Sequence, residues 1–462
     1  MNKDLTPTEI AGAPTSESGP AGDTDLYAAP AQWLSGGVGA QGNIFLTGRA
    51  GSGKSTLLKR ILDAAGERAV VLAPTGIAAV NVGGQTIHSF FKFPPRLIEP
   101  GDIRRLRTTR LLKAVETLVV DEISMVRADM LDAIDRSLKL NRGSKRPFGG
   151  VRMILSGDLH QLPPVVRGEE HELLEERYGG AYFFNAPAFQ EGEFSLLALK
   201  HMFRQSDPQF LALLGSIRQG RLTASDERLM ADRVTGRSAI DASETHVVLT
   251  PNNNNAFRIN VARLAALETR AKTFEAAVDG TFKENTFPTE ADLELKEGAR
   301  VMLIRNDPEG RWVNGTIGTV EGFGTRSVIV SIKGRPYEIE PVAWENYRYE
   351  LDTKTNKVKR DVVGTFKQLP LRLAYAITIH KSQGMTLENV YIDFDRGMFA
   401  HGQAYVALSR AMSLEGLELS RQIRPRDLVI DRRAFQFGTL EKIEDTDAYL
   451  LAKLNSEDGR LV

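Results

Sequence analysis

Gly48-Arg49-Ala50-Gly51-Ser52-Gly53-Lys54-Ser55 places two glycines, a lysine and a hydroxyl at the spacing GxxxxGK[ST]. Glycines let backbone N–H groups close around phosphate oxygens, the lysine meets the outer phosphates, and the hydroxyl ligates a magnesium ion. A nucleoside triphosphate is the ligand this chemistry fits, with Lys54 on the β- and γ-phosphates and Ser55 on the metal. Further along, Leu118-Val119-Val120 runs into Asp121-Glu122. Two carboxylates at the end of an apolar strand suit hydrolysis: Asp121 holds magnesium through water, and Glu122 orients or deprotonates the attacking water. Gln161, in Ser156-Gly157-Asp158-Leu159-His160-Gln161-Leu162-Pro163-Pro164, can hydrogen-bond a third phosphate or the lytic water. The local residues equally allow a rigid Pro-Pro loop with Gln161 facing solvent.

These motifs need elements to carry them. Ile44-Phe45-Leu46 precedes the phosphate loop and the amphipathic run from Thr56 to Ala64 follows it, so a strand delivers the loop and a helix N-terminus adds a favourable field. Val70-Val71-Leu72, Leu118-Val119-Val120 and Met153-Ile154-Leu155 alternate with helical stretches, which predicts an α/β domain with a mostly parallel sheet over about 31–200. Open parallel sheets place ligands at the ends of such strands. A second α/β region is predicted over 201–280 and 367–435, with Val247-Val248-Leu249 and Val390-Tyr391-Ile392 as strands. Between them, about Thr281 to Phe366 offers short alternating runs broken by glycines, the pattern of a small all-β barrel insertion. Residues 1–30, rich in Ala, Gly, Pro, Ser and Thr, read as a mobile tail, and 436–462 as a terminal helix or tail.

Lys plus Arg and Asp plus Glu both total 59, so any anionic polymer must be held by a local groove and not by overall charge. The chain has no cysteine, which excludes disulfides, thiolate nucleophiles and cysteine-based metal sites. No apolar run is long enough to span a membrane, and the expectation is a cytoplasmic, nucleoid-associated monomer.

The ordered set of Gly48 to Ser55, Ala73 to Ala79, Gly84 to Phe90, Asp121 to Met125, Gly157 to Pro164, His380 to Thr386 and Tyr405 to Arg410 resembles a superfamily-one helicase. Within it, the stretch from Glu122 to Val165, with Met130-Leu131-Asp132 and Pro147-Phe148-Gly149-Gly150, is similar to the petite-integration-frequency (Pif) family. The resemblance implies two RecA-like motor domains. It implies an ATP-driven, magnesium-dependent motor walking 5′ to 3′ on single-stranded DNA and opening tailed duplex and G-quadruplex DNA. It puts arginine fingers at Arg204 and Arg410 and the glutamine sensor at Gln161. Gly48, Ala50, Gly51, Ser52, Gly53, Lys54, Ser55, Thr56 and Gly384 are the implied nucleotide contacts. Relatives also carry a Gln-containing adenine-reading motif just upstream; the equivalent Ala31 to Gly37 matches it poorly, with Gln32 as the base contact.

A motor must grip a strand whose sequence changes, so phosphate contacts and base stacking are expected. Thr75, Gly76, His88, Asn253, His380 and Ser382 supply small donors for phosphates. Phe90, Phe93 and Pro94 supply flat surfaces, in the place where relatives carry a strand-separating wedge, near 91–113; a hydrophobic anchor for their own loop is the alternative. Arg104, Arg105, Arg107, Arg110 and Lys113 suit either a phosphate track or a solvated helix face. Competing readings are a RecD-like or Dda-like helicase, a nucleotide switch or kinase, and a passive nucleic-acid-binding module. The switch leaves His380 to Thr386 and Tyr405 to Arg410 without a task.

Overall fold

The computed structural model describes residues 42–439 apart from 167, 200, 201, 353, 354, 356, 395 and 396, together with Glu444 and Asp445. Gln32 and the N-terminal tail lie outside the described residues.

The four β-rich runs of the first region form the middle of a seven-stranded, all-parallel sheet. Its order is Glu444–Asp445, Phe194–Leu199, Asn43–Gly48, Arg152–Ser156, Thr117–Val120, Ala69–Ala73 and Gln85–Thr86. Strands buried on both faces must be apolar throughout, which is why Leu118, Val119 and Val120 and Met153, Ile154 and Leu155 are continuous hydrophobic runs with no exposed surface. One face packs on the helix Lys54–Ala65 through Leu57, Leu58 and Ile61. The other carries the larger core around the helix Ala128–Arg142.

The second region is a four-stranded parallel sheet in the order Ala376–Thr378, Val247–Thr250, Val390–Ile392, Leu417–Leu419. Its core includes two first-region residues, Ala50 of the phosphate loop and Leu162 of the sensor loop. The two sheets therefore meet at the candidate site, not beside it.

The insertion is all antiparallel and wider than its expected limits, running from the strand Ala271–Glu275 to the strand Leu371–Leu373. A five-stranded sheet and a two-stranded one cover a shared apolar core that includes Phe274, Leu293, Leu295, Val301, Val320 and Val330. A third sheet contains a long hairpin, Val342–Asp352 with Lys357–Gln368, that reaches the first domain. There Tyr349 joins the first-domain core and accepts a hydrogen bond from the Val71 N–H at 3.1 Å.

The boundary expected at 435/436 falls inside the helix Arg432–Thr439, which returns to the first domain. Phe437 stacks on Phe184 at 4.3 Å, and Glu444–Asp445 extends the first sheet at its edge. No helix among the described residues is long and apolar enough to cross a membrane.

Candidate nucleotide cleft and nucleic-acid interface

The strand Asn43–Gly48 ends in the phosphate loop, and the helix Lys54–Ala65 starts directly after it. Gly51 and Gly53 hold φ near 87° and 85°, a left-handed conformation that glycine takes without strain. Gly48 is required for space: a Cβ there would sit 2.6 Å from the Ser52 hydroxyl. Ser55 and Thr56 are exposed in the first helical turn. The Lys54 ammonium folds back, donating to the carbonyls of Gly48 (2.7 Å) and Arg49 (3.1 Å). Burial lowers its pKa, while Asp158, Glu122 and Asp121 pull the other way.

Neighbouring strands deliver the acids. The Asp121 N–H donates to Leu72 O (2.9 Å), fixing the carboxylate beside the loop. Glu122 takes φ 51°, a left-handed conformation uncommon outside glycine, and starts a short 3-10 turn over Ile123–Met125. Burial raises the pKa of Asp121, and burial followed by the Asp121 charge pushes Glu122 up to about 7. A carboxyl with that affinity for protons suits a general base. The expected pair Ser55 and Asp121 suits a hydrated magnesium ion, an exposed hydroxyl and a desolvated acid whose charge Lys54 favours.

Both candidate fingers reach this pocket. Arg204 lies against Gly51, with a Cβ built on that glycine only 2.7 Å from the arginine's own Cβ. Its guanidinium donates to Thr386 Oγ1 (2.8 Å), Ser409 O (3.1 Å) and Gly384 O (3.4 Å). Gly384 is thus tied to the pocket through its carbonyl. Arg410 is 1% exposed, and it donates to Val406 O (2.9 Å), Met385 O (3.2 Å), Ser382 O (3.4 Å) and Ser409 Oγ (2.8 Å). Burial, then the nearby Arg204, disfavours its charge. Two neighbouring guanidiniums without a carboxylate partner among the described residues make a cavity wall that an anionic ligand would stabilise.

Gln161 does not face solvent: it is 7% exposed, donates to Asp158 Oδ2 (3.3 Å), and accepts from Gln383 Nε2 (3.2 Å) across the cleft. Three further residues here escaped the sequence reading. Tyr405 accepts the Ala50 N–H (3.1 Å) through its hydroxyl, and Asp158 pairs with Arg218 of the second domain (3.2 Å). Against the burial that would raise it, Arg218 and Lys54 hold the Asp158 carboxyl below its ordinary range. Asp158 and Tyr405 lay inside quoted motifs without a role of their own; for Arg218 the sequence carried no spacing signal.

The expected DNA residues divide. His88, in the short helix Ile87–Phe91, and His380, just after the strand Ala376–Thr378, are half-buried, and Asn253, at the start of the helix Asn253–Ala265, is exposed. Thr75 caps the helix Gly76–Asn81 by accepting the Ala78 N–H (3.2 Å), and Gly76 is covered by the Thr286 methyl of the insertion. Three placements need correction. Phe90 and Phe93 are each 6% exposed, in the first-domain core, because Phe91 stacks on Phe93 (5.3 Å) and Phe90 meets Phe91 and Tyr349 edge-on. Neither ring offers a face to a base; Pro94 beside them is half-buried. Ser382 is fully buried with its hydroxyl donating to Ile379 O (2.8 Å), so it does not offer that hydroxyl to a phosphate. Arg104, Arg105, Arg107, Arg110 and Lys113 form an exposed face. A different cation group stands out where the hairpin meets the first domain: Lys92, Lys283 and Arg348 are exposed, and burial followed by the charges of Arg348 and Lys283 lowers the Lys92 pKa.

A family model for PIF1-like helicases matches residues 36–228. The chain is 34% identical over 408 residues to the ATP-dependent DNA helicase Pif1 of Bdellovibrio bacteriovorus, covering 86% of this chain and 88% of that protein. The chain belongs to the Pif1 helicase family. It is accordingly an ATP-dependent DNA helicase. Among solved structures, Pif1 from Bacteroides sp in complex with ADP-AlF4 superimposes with a TM-score of 0.84 at 34% identity, covering 92% of this chain and 99% of that one. Bacteroides Pif1 bound to single-stranded DNA gives 0.64 at 35% identity, covering 92% and 98%. The Pif1 fold thus extends over both motor sheets and the insertion.

Proposed function

We propose that this Pif1-family helicase binds magnesium–ATP between its two parallel-sheet domains and uses hydrolysis to walk 5′ to 3′ on single-stranded DNA, opening tailed duplex and G-quadruplex DNA as a monomer. The observation that carries the coupling is the shared cleft: the phosphate loop of one domain and Arg410 of the other border one buried pocket. A ligand with three phosphates fits between them, and its loss of one phosphate removes the charge that the arginines face.

In this reading the backbone N–H groups from Gly51 to Thr56 and the Lys54 ammonium bind the phosphates. Lys54 exchanges its two carbonyl partners for phosphate oxygens, a small local change. Ser55 and Asp121 would hold the magnesium, which when bound would neutralise charge on the outer phosphates. Glu122 takes the proton of the attacking water. Arg204 and Arg410 meet the charge that develops on the transferred group, and Gln161 reports the third phosphate to Gln383. Cleft closure is thereby linked to nucleotide state.

DNA binding is supported by a Bacteroides relative solved with single-stranded DNA and by the exposed Asn253 and the half-buried His88 and His380. Lys92, Lys283 and Arg348 add a phosphate-compatible patch. The 5′ to 3′ polarity and G-quadruplex opening rest on family membership. Strand-displacement assays with 5′-tailed, 3′-tailed and G-quadruplex substrates, with and without ATP, test them together. Unwinding confined to 3′-tailed DNA would reject the polarity, and failure on G-quadruplexes alone would reject only that substrate. A Lys54→Ala protein that still unwinds would remove the phosphate loop from the motor.

A further inference from the structure

Asp158 is the hub of a chain of polar contacts that crosses the cleft twice. Its Oδ1 takes the Arg218 guanidinium (3.2 Å) and the His160 N–H (3.1 Å), while its Oδ2 takes the Gln161 amide (3.3 Å). Both residues are deeply placed, the Asp158 side chain with no exposure and that of Arg218 at 22%. Arg218 closes the helix Pro208–Arg218 of the second domain, and its own carbonyl lies 3.1 Å from His160 Nδ1, which must carry the proton in that bond. From Gln161 the contacts return to the second domain through Gln383.

This arrangement decides how the Gln161 side chain is turned. A glutamine amide has a donor end and an acceptor end, and local packing alone seldom selects between them. Here the Asp158 carboxylate accepts from the NH2 end, so the carbonyl end faces Gln383 and the pocket. The carboxylate keeps its charge in a desolvated place because Arg218 stands against it. With Arg218 removed, a buried acid without its main partner gains a proton or turns away, and the amide loses its fixed acceptor.

We infer that Arg218 is the positioning residue of the third-phosphate sensor: through Asp158 it fixes Gln161 in the orientation that distinguishes a triphosphate from a diphosphate. The inference rests on the reading of Gln161 given above. Arg218 thus differs from Arg204 and Arg410, because it acts on the ligand only through another side chain. A salt bridge that merely joined the two domains would support every nucleotide state alike. A positioning residue weakens the triphosphate state selectively, and this separates the two roles.

The test compares Arg218→Gln, Arg218→Lys, Asp158→Asn, Gln161→Ala and the double variant Arg218→Gln/Gln161→Ala in the full chain. Affinities for ADP and for the non-hydrolysable analogue AMP-PNP are measured by fluorescence titration, and single-strand-stimulated turnover by phosphate release. The expected result is that Arg218→Gln and Gln161→Ala lose the preference for AMP-PNP over ADP to the same degree. Their kcat should fall about 10- to 100-fold with KM moving less than about threefold, and the double variant should be no worse than the poorer single one. Arg218→Lys, which keeps the charge, should recover part of the preference. An unchanged ADP to AMP-PNP ratio in Arg218→Gln, or losses that multiply in the double variant, overturns the inference. Should Arg218→Gln fail to fold, Arg218→Lys and Asp158→Asn carry the same comparison, and normal discrimination in both would overturn it. A wild-type protein without DNA-stimulated turnover would instead reject the helicase mechanism, while the binding ratios still decide the role of Arg218.

Discussion

The nucleotide cleft and the seam between hairpin and first domain both join separate parts of the chain, yet they are made of opposite materials. In the cleft, Arg204, Arg410, Gln161 and Tyr405 are held by directional bonds to backbone and side-chain groups, nearly all away from water. At the hairpin seam, Tyr349 and Val358 are buried in the first-domain core with Leu351 packed beside them, and around them stand exposed groups such as the Lys357–Glu67 pair and the cations Lys92, Lys283 and Arg348. Exposed ion pairs contribute little to stability and are screened by salt. Directional buried bonds fix one geometry, as transition-state stabilisation demands, whereas a seam of a small apolar contact rimmed by solvated charges imposes less directional constraint.

The sharpest way to break this comparison is Arg410→Ala. If Arg410 acts as proposed, chiefly on charge that grows in the transition state, ATP affinity should change by less than about threefold while DNA-stimulated kcat falls by about 10³-fold or more. Equilibrium binding of a fluorescent ATP analogue beside steady-state phosphate release measures both. A variant that loses binding instead would make Arg410 a ground-state contact.

Phe90→Ala addresses the opposite side. Buried between Phe91 and Tyr349, the ring should cost about 3–5 kcal/mol of stability when truncated, through lost burial and a residual cavity. Denaturant unfolding gives that number, and single-strand affinity of the still-folded fraction should stay within about twofold. Intact stability with a tenfold loss of DNA affinity would return Phe90 to the DNA face.

That correction shows what the sequence could and could not carry. Residues whose role depends on backbone spacing were legible, since Gly48 to Ser55 and Asp121-Glu122 sit at strand ends where the parallel sheet must leave them. Arg204 and Arg410 were placed by resemblance and found beside the pocket through long-range contacts. The Phe cluster was not legible, because its alternation fits an exposed platform and a core anchor equally, and its burial comes from distant parts of the chain, including Tyr349 of the hairpin, more than 250 residues away in sequence. Arg218 was invisible, and Tyr405 was seen only as part of a motif, for the same reason: each acquires its task from a partner far along the chain. The edge strand Glu444–Asp445 and the wider insertion were missed because two-residue strands and Gly-broken runs give almost no period.

The pH response gives a moderate effect confined to the cleft. Glu122 must be unprotonated to act as base, and its pKa is raised to about 7 by burial and then by Asp121. In the free enzyme kcat/KM for ATP should therefore fall by about tenfold per pH unit below that value and level off above it. Glu122→Gln should lower turnover by about 10²- to 10⁴-fold and abolish that limb of the profile. A wild-type profile flat from about pH 5.5 to 8 would remove Glu122 from the base role.

The smallest effect lies at the seam. Lys92, Lys283 and Arg348 sit on three different elements that converge there: Lys92 caps the helix carrying Phe90, Arg348 adjoins Tyr349, and Lys283 precedes the turn covering Gly76. No ion pair is formed by any of the three among the described residues, although Asp361 lies opposite Arg348 across the hairpin. If they contact DNA phosphates, each alanine substitution should lower the slope of log affinity against log salt by about 0.7–1, the value for one released counterion on a single strand. Fluorescence anisotropy across a salt series measures the slope. ATP affinity without DNA should not move, because the patch lies apart from the phosphate loop. An unchanged slope in the triple variant would make the patch solvated surface, and its mutual repulsion would then serve only to keep the seam easy to part.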